Sequence, residues 1–117
     1  MFLLLNHQKL EVFGISRKLV KECYQITREF PVTEKFALVS QINRASISVY
    51  LNIAEGASRR SLPERKRFFE IARGSVIEID AAFDLAKDVG YLQTINTEIL
   101  ETCILSCFKL LTNLIKN

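Results

Sequence analysis

Apolar residues recur along the chain at intervals of three and four, the period of an α-helix, and strand-like alternation is scarce. The stretch from Asn43 to Gly56 reads NRASISVYLNIAEG. Ala45, Val49 and Ile53 fall on one helical face, and Arg44, Ser48, Asn52 and Glu55 on the adjacent one. Ile47, Tyr50, Leu51 and Ala54 leave little room for a wholly solvated side. Asn52 and Glu55 are therefore expected to be semi-buried and hydrogen-bonded to a neighbouring helix. Gly56 is expected to loosen the end of this helix.

Four helices follow from the pattern. The first is expected from Asn6 or His7 to about Glu29, with Val12, Ile15, Leu19, Cys23, Ile26 and Phe30 as its apolar stripe. Leu10, Phe13, Val20 and Tyr24 lie beside that stripe, and Phe30-Pro31-Val32 ends the helix. Thr33 is the expected N-cap of a second helix running to about Ala57. Ser61 and Glu64 form an S-x-x-E capping box, with Pro63 in the first turn, and open a third helix that runs to about Val89 and stops at Gly90. Phe68, Ala72, Ser75, Ile79, Ala82 and Ala86 line its inner face, with Phe69, Val76 and Phe83 as a flanking stripe. Thr94 or Asn96 is expected to cap a fourth helix reaching Ile115, apolar on two sides.

Helices of about 20 to 25 residues with short connections predict an all-α, up-down-up-down antiparallel four-helix bundle, with residues 1–117 as one domain. The fourth helix carries more apolar surface than one bundle core needs. Phe69, Val76 and Phe83 of the third helix and Leu100, Ile104 and Leu111 of the fourth are accordingly expected to form a homo-oligomer interface. The alternative is a fourth helix enclosed within a compact monomer.

Composition changes this picture little. Hydrophobic residues at 49% and charged residues at 25% are ordinary for a soluble globular domain. The net charge of +3 excludes nothing by itself, because its distribution matters more. Cys23, Cys103 and Cys107 are expected to be buried reduced thiols. Cys103 and Cys107 lie one turn apart, but only His7 and Cys23 are available to complete a zinc site, so no metal is expected. The start MFLLLN has too few apolar residues and no basic region for a signal peptide, and no run approaches the ~20 residues of a membrane span. A cytoplasmic protein without a membrane role is expected.

The strongest candidate for chemistry is basic. Arg59, Arg60, Arg65, Lys66 and Arg67 crowd a loop and the helix N-terminus it opens, and Arg73 follows two turns on. Such a place suits phosphate, and arginine suits bidentate phosphate contacts. No aromatic residue is placed to stack on bases, so nucleic-acid binding would be driven by the backbone and weakly specific. The other reading of the cluster is a solvated face. Arg44, Asn52, Glu55, Ser75 and Glu78 are read as a structural polar network, with the two acids as partners for Arg44, Asn52 or Ser75. An enzymatic reading is poor: the only histidine, His7, lies near a terminus expected to fray, and neither a Gly-rich phosphate loop nor a nucleophile motif exists. No catalytic residue and no cofactor is expected.

At these residues the sequence resembles the 23S rRNA intervening-sequence protein family, also called four helix bundle proteins. The matching pieces are Tyr24 with FPVTEKFAL (Phe30 to Leu38), QINRASISVYLNIAEGASRRS (Gln41 to Ser61), FFEIARGSVIEID (Phe68 to Asp80) and GYL (Gly90 to Leu92). Phe13 stands where the family often has tryptophan. The resemblance implies a short up-down bundle assembling as a homo-oligomer, typically a ring-shaped pentamer, in a bacterial cell. Members are encoded within intervening sequences of 23S rRNA genes or free-standing, and a related bundle serves diversity-generating retroelements by binding nucleic acid and the reverse transcriptase. No enzymatic activity is implied. Asn52, Glu55, Arg73, Gly74 and Ser75 match the motif as architectural residues. Two functions are therefore expected as alternatives: a nucleic-acid-binding accessory protein acting on RNA or DNA, or a protein-interaction scaffold.

Overall fold

The computed structural model describes residues 2–117. Four α-helices account for most of them: α1 (Glu11–Thr27), α2 (Leu38–Ser58), α3 (Leu62–Asp88) and α4 (Glu98–Lys116). Short 3-10 turns at Asn6–Lys9 and Val32–Glu34 precede α1 and α2, and no strand occurs among the described residues. Each helix packs on the next, most extensively α2 on α3, and α4 returns against α1. Among the described residues the backbones of diagonal helices do not approach closely, so the four helices surround one core in a bundle of 44 × 30 × 24 Å.

That core is the predicted stripe of each helix turned inward. Leu19 and Cys23 of α1, Ile42, Val49 and Ile53 of α2, Ala72 and Ile79 of α3, and Cys107 and Leu111 of α4 are fully enclosed. Burial pushes the Cys23 and Cys107 thiols up to about 12, so both are protonated at neutral pH. Among the described residues no three His, Cys, Asp or Glu side chains gather as a metal site. No helix among the described residues is long and apolar enough to cross a membrane.

The structure corrects several expectations. Phe69, Val76, Phe83, Leu100 and Leu111 are buried in the chain's own core, and Ile104 is half-buried against it, so the proposed oligomer face is an internal one. The physical reason is that α3 packs on α2 and α4 at once. Its core face is wide enough to hold both the row through Ala72 and Ile79 and the heptad row beside it. The surplus apolar surface lies elsewhere, at Ile47 and Leu51 of α2, Ile71, Ile77 and Leu85 of α3, and Ile99 and Leu105 of α4.

The start of α2 is also later than expected. Thr33 falls in the 3-10 turn, and the helix begins at Leu38. Glu34 holds that corner: one carboxylate oxygen accepts from the Leu38 N–H at 3.4 Å and the other from the Tyr91 hydroxyl at 2.7 Å. At α4, Asn96 does accept from the Glu98 N–H at 2.9 Å, while the cap position itself is Thr97. Gly56 does not loosen α2, which continues to Ser58. It is buried against α3, and a Cβ there would lie 2.8 Å from a Phe69 ring carbon and 3.1 Å from the Phe68 Cβ.

Candidate nucleic-acid interface

The basic cluster forms where α2 hands over to α3. Arg59 leaves the helix in extended geometry, and Ser61 caps α3 by accepting the Glu64 N–H at 3.2 Å. This cap is the S-x-x-E signal, and it fixes which way Arg65, Lys66 and Arg67 leave the first turn. The helix end itself offers little to an anion. Pro63 has no N–H, that of Glu64 is taken by the cap, and that of Arg65 by the Ser61 carbonyl at 3.1 Å. Attraction for phosphate at this end therefore comes from the guanidinium groups.

Three of those groups converge. Arg59, Arg60 and Arg65 line one cleft of about 420 Å³, together with Leu5, Asn6, His7, Ala57 and Ser58. Arg59 is partly committed: it bonds Glu55 at 2.9 Å and lies over the Phe68 ring at 4.8 Å. Arg60, Arg65, Lys66 and Arg67 make no ion pair among the described residues. Arg60 and Arg67 are exposed, whereas Arg65 and Lys66 are half-buried. Arg73 stands apart from the cleft. Its guanidinium stacks over Phe108 of α4 at 4.6 Å, and its buried Nε has no hydrogen-bond partner. Its charge is spent on α3–α4 packing.

A second cavity, of about 520 Å³, lies between α3, α4 and their connection. Asp80, Asp84 and Glu101 line it against a single Lys87, so it repels phosphate.

The predicted polar network is smaller than expected. Ser75 reaches across from α3 to Ser48 of α2, hydroxyl to hydroxyl at 2.9 Å. Asn52 bonds within its own helix, donating to the Ser48 carbonyl at 2.8 Å and hydroxyl at 3.1 Å. Glu55 is exposed and paired with Arg59, and Arg44 and Glu78 are exposed and outside the network. Small Ser75 and Ser48 let α2 and α3 approach closely, which leaves the longer side chains outside.

His7 is the residue that sequence reasoning misjudged. It does not fray with the terminus. The 3-10 turn buries it to 6% exposure, edge-on to Phe13 with ring centroids 4.6 Å apart. Phe13 in turn stacks on Tyr50 at 4.5 Å, which anchors the turn to α1 and α2. The only available signal was an apolar Leu5 and Leu10 on either side of an otherwise polar NHQK.

The fold and site define a small helical bundle with one basic end, built around the α2–α3 hairpin. The chain belongs to the 23S rRNA-intervening sequence protein family, whose model matches residues 8–113. No curated protein matches the sequence.

Proposed function

We propose that this protein is a non-enzymatic nucleic-acid-binding protein that works as a homo-oligomer, its basic end contacting the sugar-phosphate backbone of RNA or DNA. The observation that carries this reading is the group Arg60, Arg65, Lys66 and Arg67, four cations at the α2–α3 junction without an acidic partner among the described residues. Unpaired surface cations release counterions from a phosphate strand when they bind it. Repetition of the patch around an oligomer axis, a pentameric ring by the family resemblance, would add avidity to a weak site. The same reading takes the bundle as up-down-up-down. Arg17–Tyr50 and Thr27–Asn43 are bonded pairs whose numbers run in opposite senses, as antiparallel helices require.

A second reading, a protein-interaction scaffold, is favoured by Ile47, Leu51 and Ile71, which stand exposed on α2 and α3. Fluorescence anisotropy of labelled single- and double-stranded RNA and DNA separates the two. Binding should fall steeply as salt is raised. It should vanish when Arg59, Arg60, Arg65 and Arg67 are all changed to glutamate in a variant whose mass by light scattering is unchanged. No binding by the wild type at low salt would sink the nucleic-acid reading and move attention to the apolar residues.

A further inference from the structure

We propose that the cleft at the α2–α3 junction is a receptor for a phosphate monoester, presented by the end of a nucleic-acid strand or by a free nucleotide. The inference rests on the nucleic-acid reading and narrows it from the backbone at large to a terminal phosphate.

Three features of the cleft support it. Its volume, about 420 Å³, is that of a small-molecule site. Its lining includes His7 and Ala57, each only 6% exposed, so part of its wall is made by enclosed groups. Arg60 and Arg65 reach it without an ionic partner, and Arg59 adds a third guanidinium already steadied by Glu55.

The imidazole is the most telling of these groups. His7 is the only histidine in the chain. Its ring packs edge-on to Phe13, and its nitrogens make no hydrogen bond to the described residues. Neither nitrogen is sealed from solvent, so an acceptor entering the cleft can take the place of water there.

Charge and shape then select the kind of phosphate. A monoester carries about −1.5 to −2 at neutral pH, whereas a phosphate inside a strand carries a single charge. Several guanidiniums with an imidazole N–H suit the more highly charged group and its three free oxygens. A phosphate within a strand has chain on both sides, which hinders its entry into a cleft of this size; a strand end is free of that constraint. Leu5 and Ala57 offer apolar surface to the attached sugar.

The test compares one short labelled strand with a phosphate at either end against the same strand ending in hydroxyls, using the full chain. Phosphate-ended strands should bind about tenfold tighter, the effect of one or two charge-assisted hydrogen bonds. Arg60→Gln and Arg65→Gln should weaken both kinds of strand, and phosphate-ended strands by about tenfold more, so that the difference between the two is erased. Arg60 is exposed, so its variant tests the cleft without disturbing the fold. The single imidazole resonance should shift when a mononucleotide is added. Equal affinity for both kinds of strand, with no imidazole shift, would overturn the cleft and leave backbone binding intact. An imidazole shift with the mononucleotide but no strand binding would uphold the cleft for a free nucleotide and overturn the nucleic-acid reading. Neither effect would overturn both.

Discussion

At the residue scale, two glycines in regular helix have opposite meanings. Gly56 is where α2 meets α3: an added Cβ lands 2.8 Å from the Phe69 ring and 3.1 Å from the Phe68 Cβ. The Phe69 ring is locked in the core at 3% exposure, and a Cβ cannot swing away, so the helices must part. Overpacking of this kind costs about 1–3 kcal/mol, against roughly 0.5–1 kcal/mol gained by replacing a helical glycine. Gly56→Ala should therefore be destabilised by about 1 kcal/mol in urea unfolding. Gly74, in the middle of α3, has nothing within 4 Å of its would-be Cβ. Gly74→Ala should be stabilised by roughly 0.5–1 kcal/mol. Equal responses from the two variants would contradict the packing described here. The sequence could show both glycines inside helical periods, but not which one faces another helix at close range. The same limit explains the polar network. Ser48 and Asn52 were legible as one face of α2, whereas the partner that crosses the interface, Ser75, depends on how deeply two helices interlock.

At the scale of elements, boundaries set by local chemistry were legible and those set by distant contacts were not. The start of α3 is a matter of Ser61 and Glu64, three residues apart, and it lies where their spacing puts it. The start of α2 depends on Glu34, which bonds Tyr91 across 57 residues of sequence. No local pattern reports such a link, and Thr33 looked the better cap. The link has a pH signature. The hydrogen bond to Glu34, with burial and the carboxylate's charge adding, holds the Tyr91 hydroxyl above its usual value of 10.0. The folded state thus keeps this proton longer than the unfolded chain does. Its contribution is complete below the ordinary phenol range and is lost as pH rises through the raised value. The Cys23 and Cys107 thiols, pushed from 9.0 to about 12, act in the same direction. Stability should therefore decline above pH 9.0 in the wild type. In Tyr91→Phe the decline should be shallower, and the two melting curves should converge at high pH. Parallel curves would mean that Tyr91 contributes nothing through Glu34.

At the scale of the whole molecule, the bundle hides the residues first assigned to an oligomer interface and shows others. Phe69, Val76, Phe83, Leu100 and Leu111 complete the core of one chain, so a second copy can reach them only by opening the bundle. The period of an amphipathic helix reveals which residues are apolar, but not whether the chain itself or a neighbour covers them. Residues such as Leu51 at 53% exposure and Ile71 at 41% are apolar, ordered within helices and uncovered. If the proposed oligomer forms, these residues on the outside of α2 and α3 are where a neighbouring copy gains most from excluding water. A charge placed there must be desolvated on assembly, which is costly without a partner, yet it sits comfortably in water on a separate chain. Leu51→Glu and Ile71→Glu should therefore keep the helical circular-dichroism spectrum of the wild type while lowering the mass found by sedimentation. The basic cleft lies at the end of the same hairpin, so dissociated chains should bind long strands more weakly and a mononucleotide just as well. Wild-type mass retained in both variants would place the contact on another face, with Ile77 and Leu105 beside the α3–α4 groove as the next pair to charge.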